Sequence, residues 1–236
     1  MIGAWGGGSF TQGSPPRYAE GLVFGIDAYD LDSNPANGHA YDIVSGIEVA
    51  NLGSKWNAGQ NAWAMNGPPL GYGVAGVNLP AGSAPRTVIA LFKWNGVVAG
   101  GEPGVELLGW GPNSYSARFG LWLTVGRMGS ENGGSVSAVD IPRGSTEWAH
   151  LAMVLSPGDS DQSQLKLYAN GSLGSNFSGS GPINTGTTHN VMIGGLAELG
   201  YYPFTGLLSR VLIYDRALSA EEVQADFLAV QGRMGF

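Results

Sequence analysis

The sequence has no cysteine, which removes disulfide frameworks, thiol nucleophiles and Cys-ligated zinc. Charge is scarce as well: 11 Lys and Arg stand against 18 Asp and Glu, only 12% of the 236 residues, for a net charge of -7. No five-residue window carries a basic cluster, so a phosphate backbone finds no footing and nucleic acid is excluded as a partner. Apolar runs such as Val88–Phe92 fall far below spanning length, and no membrane segment is expected. Met1–Ser9 has neither a basic n-region nor an apolar h-region, so no signal peptide is expected and synthesis is read as cytoplasmic.

Glycine is what the chain has in excess. The 40 Gly and 13 Pro make up more than a fifth of it, too much for a helical bundle or coiled coil. A hydrophobic fraction of 43% with 10% aromatics still builds a large core. Residues 1–20 are Gly, Ser, Pro and Thr punctuated by Trp5, Phe10 and Tyr18. Such a segment cannot bury a face of its own and reads as an N-terminal arm. From Gly21 to the end, short apolar or alternating runs recur between Gly, Pro, Asn and Asp clusters, the pattern of an all-β sandwich in a single domain, 21–236.

Strands are expected near 21–27, 39–45, 62–66, 73–79, 86–94, 104–110, 117–127, 135–139, 148–155, 164–170, 190–194 and 204–214. In Gln164–Asn170, Leu165, Leu167 and Ala169 share one face, and Asn170-Gly171 supplies the two positive-φ residues of a type I′ turn before Leu173 begins the return. Leu151–Leu155 and Thr87–Trp94 are apolar on both faces and read as central strands. One helix is expected, over 219–230. Ser219 and Glu222 form a capping box, Leu218 and Val223 a hydrophobic staple, and Val223, Phe227 and Val230 one apolar stripe.

Several ordered motifs carry a family resemblance. They are Trp148-Ala149-His150-Leu151-Ala152, Leu167-Tyr168-Ala169-Asn170-Gly171, Ile193-Gly194, and Gly206 followed by Val211 through Val223. In these the C-terminal half resembles the laminin G-like branch of the concanavalin A-like lectin/glucanase superfamily, whose ending usually has Asp where this chain has Ser209. Gly21–Ala28 and Tyr41–Gly46 look like the opening of such domains, including those of phage structural proteins. The resemblance implies a jelly roll of two antiparallel sheets. It does not fix a function, because that fold hosts lectins, adhesion modules, glycosidases and coat proteins.

Catalytic constellations fail one by one. The acidic strand of the glucanases, E-x-D-x-x-E, is absent, and the nearest pair, Glu102 and Glu106, is interrupted by Pro103-Gly104 and reads as solvated loop acids. Gly71–Gly76 matches G-x-G-x-x-G, yet Val77, Leu79 and Pro80 follow where a helix is required. His39, His150 and His189 lie far apart, and His150 falls in a core strand as a structural histidine. Asp30, Asp32 and Asn34 have the spacing of EF-hand ligands, but Pro35 and Tyr41 replace the required Gly and Glu. A looser calcium site at Asp30, Asp32, Asp159 and Asp161 competes with plain turn capping by these residues, and no reading requires a cofactor.

Two binding readings remain. The arm, with Trp5, Phe10 and Tyr18 as anchors, reaches roughly 65 Å when extended, enough to cross to a neighbouring subunit, though it could equally lie along its own sandwich. This expects a non-enzymatic virion protein, most specifically a bacteriophage capsid decoration protein partnered by capsid subunits and copies of itself. The alternative is a carbohydrate-binding attachment module, with Trp56, Asn57, Tyr201 and Tyr202 as glycan contacts.

Overall fold

The computed structural model describes residues 20–35, 37–66, 72–74, 76–98, 104–124, 127–132, 136–140, 146–174, 180–187, 190–195 and 202–234. The arm anchors Trp5, Phe10 and Tyr18 lie outside them, as do Tyr201, Glu102 and His189. Fourteen strands and one α-helix are described. The larger sheet runs β12 (Ser172–Leu173), β11 (Lys166–Ala169), β10 (Trp148–Leu155), β5 (Arg86–Trp94), β14 (Thr205–Tyr214), β3 (Ala62–Asn66) and β2 (Trp56–Asn57). β1 (Leu22–Asp27) pairs with β14 on the side that β3 also uses. The smaller sheet runs β4 (Tyr72–Val74), β13 (Val191–Ile193), β6 (Val105–Trp110), β7 (Phe119–Thr124), β8 (Arg127–Glu131) and β9 (Val136–Asp140). Every pairing is antiparallel, as the jelly-roll reading expects.

Alternation decides what each strand buries. Along β5, Val88, Ala90, Phe92 and Trp94 enter the core between the sheets, while Ile89 joins a second apolar cluster on the outer face with Ala152, Val154, Tyr168, Leu212 and Tyr214. That outer cluster exists because α1 (Ala220–Met234) lies on it through Val223, with Leu218 just ahead of the helix. β5 and β10 are therefore covered on both faces, as their unbroken apolar runs require.

The expected hairpin forms, with Asn170 at φ 49° and Gly171 at φ 75° and Tyr168 opposite Leu173. The capping box forms too: Ser219 Oγ accepts from the Glu222 amide at 3.2 Å, and Glu222 accepts from the Ser219 amide at 2.7 Å. Arg216 adds a bidentate pair to the same carboxylate at 2.8 and 3.0 Å, which holds the Glu222 carboxyl below its ordinary range. Among the described residues no helix is long and apolar enough to cross a membrane.

Four expectations need correction. The run 73–79 carries only β4, Tyr72–Val74, and residues 77–80 lie outside any strand. Residues 39–45 make only an isolated bridge, Tyr41 to Glu48, because Asp42 turns its carboxylate on the amides of Gly25, Val44 and Ser45 and folds the segment into a loop. The run 117–127 is split into β7 and the start of β8. The helix extends to Met234, and its buried stripe is not the expected one: Val223 and Val230 are fully buried, but Asp226 is buried with them while Phe227 is only half-buried against the His150 ring.

Asp226 is inside because Arg210 of β14 is there to meet it. Arg210 Nη1 donates to both Asp226 oxygens at 2.8 and 3.0 Å, and Arg210 Nε lies 3.3 Å from Asp27 of β1. His150 Nε2 of β10 completes the contact with Asp226 at 2.9 Å. Arg233, from the last turn of α1, reaches Asp27 at 3.0 Å and stacks over Tyr29 at 4.3 Å. Burial works against the charge on Arg210, but Asp226 and Asp27 outweigh it and hold the guanidinium above its ordinary pKa. Burial likewise opposes the Asp226 carboxylate, and Arg210 and His150 reverse the effect, leaving its pKa lowered.

Removing one member of this group strands the others in a dry interior, so Asp226→Asn and Arg210→Met should each cost about 3–5 kcal/mol in urea denaturation. Because the folded pKa of Asp226 is depressed, its contribution is complete above the unfolded carboxylate pKa of about 4 and is lost as pH falls below it. The gap between wild type and Asp226→Asn should therefore be wide at pH 7 and shrink in acid; a gap independent of pH would show that the carboxylate is not the source. Ser219→Ala should cost about 1 kcal/mol, and Phe227→Ala less than the roughly 3–5 kcal/mol of a fully buried ring.

Candidate functional site

The antiparallel order gathers the 76–85, 111–118, 156–165 and 180–187 loops at one end of the sandwich, beyond the first residues of β5 and β7 and the last of β6 and β10. A buried cation, Arg86, organises that end. Arg86 is fully buried, and it donates to the carbonyls of Pro80, Ala81, Gly82 and Ala84 and to Thr185 Oγ1, at 2.8 to 3.2 Å. Its guanidinium lies over the Phe119 ring at 4.9 Å and the Trp110 ring at 5.8 Å. With neutral acceptors only, burial lowers its pKa to about 10, so it stays a cation at neutral pH. Trp110 Nε1 donates to the Pro80 carbonyl at 2.9 Å and fastens the same loop from the small sheet.

Residues 180–187 are stitched between two neighbouring loops. Asn184 and Gly186 donate to the carbonyls of Ser116 and Ala117 at 2.8 and 2.9 Å, and Ile183 donates to Ser160 at 2.8 Å. Ser116 is held at φ 65°, outside the usual range of a non-glycine residue, a local strain of the kind that the surrounding hydrogen bonds must fix. The effect is to raise Tyr115, whose side is 58% exposed, at the crest of the Pro112-Asn113-Ser114-Tyr115 turn.

Gly181 lies beside the Tyr115 hydroxyl. A Cβ there would stand 3.4 Å from Tyr115 Oη, 3.3 Å from Gln162 Oε1 and 2.9 Å from Asn132 Nδ2, so three side chains from three loops converge on its bare Cα. Asn132 and Gln162 are fully buried, the first donating to Pro182 and the second to Ser130. Asp161 accepts from the Gly181 amide at 3.1 Å. Asn113, Ser114 and Asn184 are exposed in these same loops. The arrangement is a rigid aromatic surface among hydrogen-bonding groups, suited to packing on the apolar face of a sugar ring.

The other candidate residues are placed as follows. Trp56 is half-buried, edge-on to Trp63 with ring centroids 6.1 Å apart, and Asn57 adjoins it on the edge strand β2. Tyr202 packs edge-on against Trp122 at 4.7 Å, and its carbonyl accepts from the Glu106 amide. These rings serve the packing of β2–β3 and of the opposite end of the sandwich. Asp30 accepts from the Asp32 amide and Asp159 from the Ser156 amide, while Asp161 accepts from the amide and hydroxyl of Ser163. These carboxylates cap turns. Among the described residues no three His, Cys, Asp or Glu side chains converge as a metal site requires.

Glu106 is not a solvated loop acid. It lies in β6, 1% exposed, with its carboxylate over Gly109, and it forms a bidentate pair with Arg118 through Nη2–Oε1 and through Nε–Oε2 at 3.0 Å. Pro103-Gly104 does not disrupt the strand, since β6 begins just after it. A small cleft of about 70 Å³ lined by Val77, Asn78, Leu79, Trp110, Gly186 and Thr187 has room for about two waters and not for a sugar ring. Tyr115 was not singled out by sequence reasoning. The one available signal was an aromatic residue inside a Gly-Pro-Asn-Ser turn cluster.

Comparison with known proteins fits this architecture. A laminin G-type model described as the concanavalin A-like lectin/glucanases superfamily matches residues 81–224. Among curated proteins none matches. The fold is similar to a Trypanosoma rangeli sialidase in complex with 2,3-difluorosialic acid, with TM-score 0.58 and 15% identity over 94% of this chain and 37% of that one. It is also similar to the T. rangeli sialidase in complex with sialic acid, with TM-score 0.55 and 18% identity over 90% and 33%. This chain thus spans about a third of those sialidase chains. The CBM40 of Ruminococcus gnavus IT-sialidase gives TM-score 0.44 and 19% identity over 69% of this chain and 95% of that one. The matched segment runs from just before β5 through the capping box of α1 and holds the W-x-H-x-A strand, the Asn-Gly hairpin and the Arg216–Glu222 ending; the chain belongs to the concanavalin A-like lectin/glucanases superfamily.

Proposed function

We propose that this protein is a non-catalytic carbohydrate-binding module whose glycan packs on Tyr115. The observation that carries the reading is the exposure of that ring on a loop end otherwise pinned by buried hydrogen bonds. A ring held out at 58% exposure by a strained turn, whose Ser116 and Ala117 carbonyls accept from Asn184 and Gly186, contributes little to the core, whereas a fixed aromatic surface lowers the ordering cost of binding. The lectin-like fold is consistent with such a role.

Catalysis has less support. Glycoside hydrolysis uses two carboxylates across a substrate, and Glu106, an acid of the small sheet, is buried and engaged by Arg118. The virion reading draws on the composition of the arm at 1–20 and on the resemblance of the domain's opening, and it would give the arm the role of assembly and the loop end that of recognition. A virion attachment protein would use both.

Retention on immobilised glycans should fall at least tenfold in Tyr115→Ala while thermal unfolding stays within a degree or two of wild type. Loss in Trp56→Ala with Tyr115→Ala unaffected would move the site to the β2 edge. Incubation of wild type with any glycan it retains should release no reducing sugar. Turnover abolished by Glu106→Gln in a variant that still folds would make the protein an enzyme. Deleting residues 1–18 should leave glycan retention intact and remove any self-association; retention lost with the arm would place the glycan surface there.

A further inference from the structure

We propose that the ligand taken at Tyr115 is an uncharged glycan, and that this surface turns away chains ending in sialic or uronic acids. The proposal rests on the reading of Tyr115 as the binding platform and comes from the charge around the ring. Asp161 Oδ2 is 3.1 Å from the Gly181 amide, and the Tyr115 hydroxyl is turned towards the same glycine. Asp159 stands two residues earlier in the same loop. Hydrogen bonds from Ser163 hold the Asp161 carboxyl below its ordinary pKa.

No cation answers these carboxylates at that end among the described residues. Arg86 is buried with its donors on carbonyls and on Thr185. Arg118 is buried and held by Glu106 and by the Gly111 carbonyl. Lys166 begins β11, but Leu165 and Leu167 beside it enter the core, so alternation puts Lys166 on the face that carries α1. Arg216 is engaged by Glu222 and the Glu20 carbonyl. A carboxylate on a stacked sugar would therefore meet like charge with no counterion among the described residues, whereas a neutral sugar meets the amide and hydroxyl groups of Asn113, Ser114 and Asn184.

The test is an array of neutral oligosaccharides, each printed beside its sialylated or uronic acid-extended form and probed with wild type, Tyr115→Ala and Ser114→Lys. Wild type should retain neutral members at least tenfold better than their acidic partners, with neutral binding insensitive to salt. Ser114→Lys, which adds a cation next to the ring, should bring the ratio towards one. Acidic forms bound as well as neutral ones, with both lost in Tyr115→Ala, would overturn the charge inference and leave the platform standing. Binding of either form unaffected by Tyr115→Ala, or no binding at all, would overturn the platform and the charge inference with it.

Discussion

The pairing of Arg210 with Asp226 is the contact on which the rest of the arrangement turns. It joins α1 to β14, and through Asp27, His150 and Arg233 it draws in β1, β10 and the last helical turn. A buried ion pair is weak evidence for net stability but strong evidence for register, because charges in a dry interior tolerate one geometry and few others. Here the register it fixes is that of a helix lying on a sheet. Hydrophobic contact alone, through Leu218 and Val223 on the outer cluster, would let the helix slide; a buried carboxylate held by both oxygens on Arg210 Nη1 does not. With α1 in place the apolar cluster on the outer face of the large sheet is covered.

Those loops have their own internal charge, handled in the opposite way. Arg210 is surrounded by carboxylates and its pKa rises; Arg86 is surrounded by carbonyls and its pKa falls to about 10. The difference reflects what each cation must hold. A helix brings carboxylates with it, whereas the Pro80–Ala84 turn brings backbone oxygens, which accept from Arg86 alongside donors such as Trp110 Nε1 and the Thr185 amide. A guanidinium, with five N–H donors in a fixed fork, can satisfy several of them at once. The site end is thus rigid through many short backbone contacts converging on one side chain, and Tyr115 stands on the far side of the segment they fix, residues 180–187.

What the sequence revealed follows the range of the interaction. The Asn170-Gly171 hairpin and the Ser219–Glu222 box depend on neighbours within four residues, and both form as expected. The double-faced runs of β5 and β10 depend only on composition, and they too are where they were expected. The stripe of α1 was misassigned at Phe227 because apolar periodicity cannot register a buried acid; Asp226 is inside on account of residues 16 and 76 positions away. The same limit hid Glu106, whose partner Arg118 lies across a loop. Tyr115 was invisible for a different reason: its exposure is set by hydrogen bonds from residues 184 and 186, and a single aromatic in a turn has no period to betray it.

The first strand illustrates how far the family segment depends on what precedes it. The matched residues, 81–224, hold Arg210 but stop short of Asp226, and β1, which supplies Asp27, lies before them. The matched ending through Glu222 therefore frames the helix start, while the carboxylates that meet Arg210 come from outside the match on both sides. Ser209, where the resemblance expects Asp, is buried on the β14 bulge, and its hydroxyl points to the Asn61 carbonyl at 3.4 Å. An acid at that position would stand one residue from Arg210 on a strand already pairing with Asp27 directly opposite. In this chain the acid facing Arg210 across the ladder is supplied by β1 and the one facing it from above by α1, so position 209 is left free for a neutral side chain.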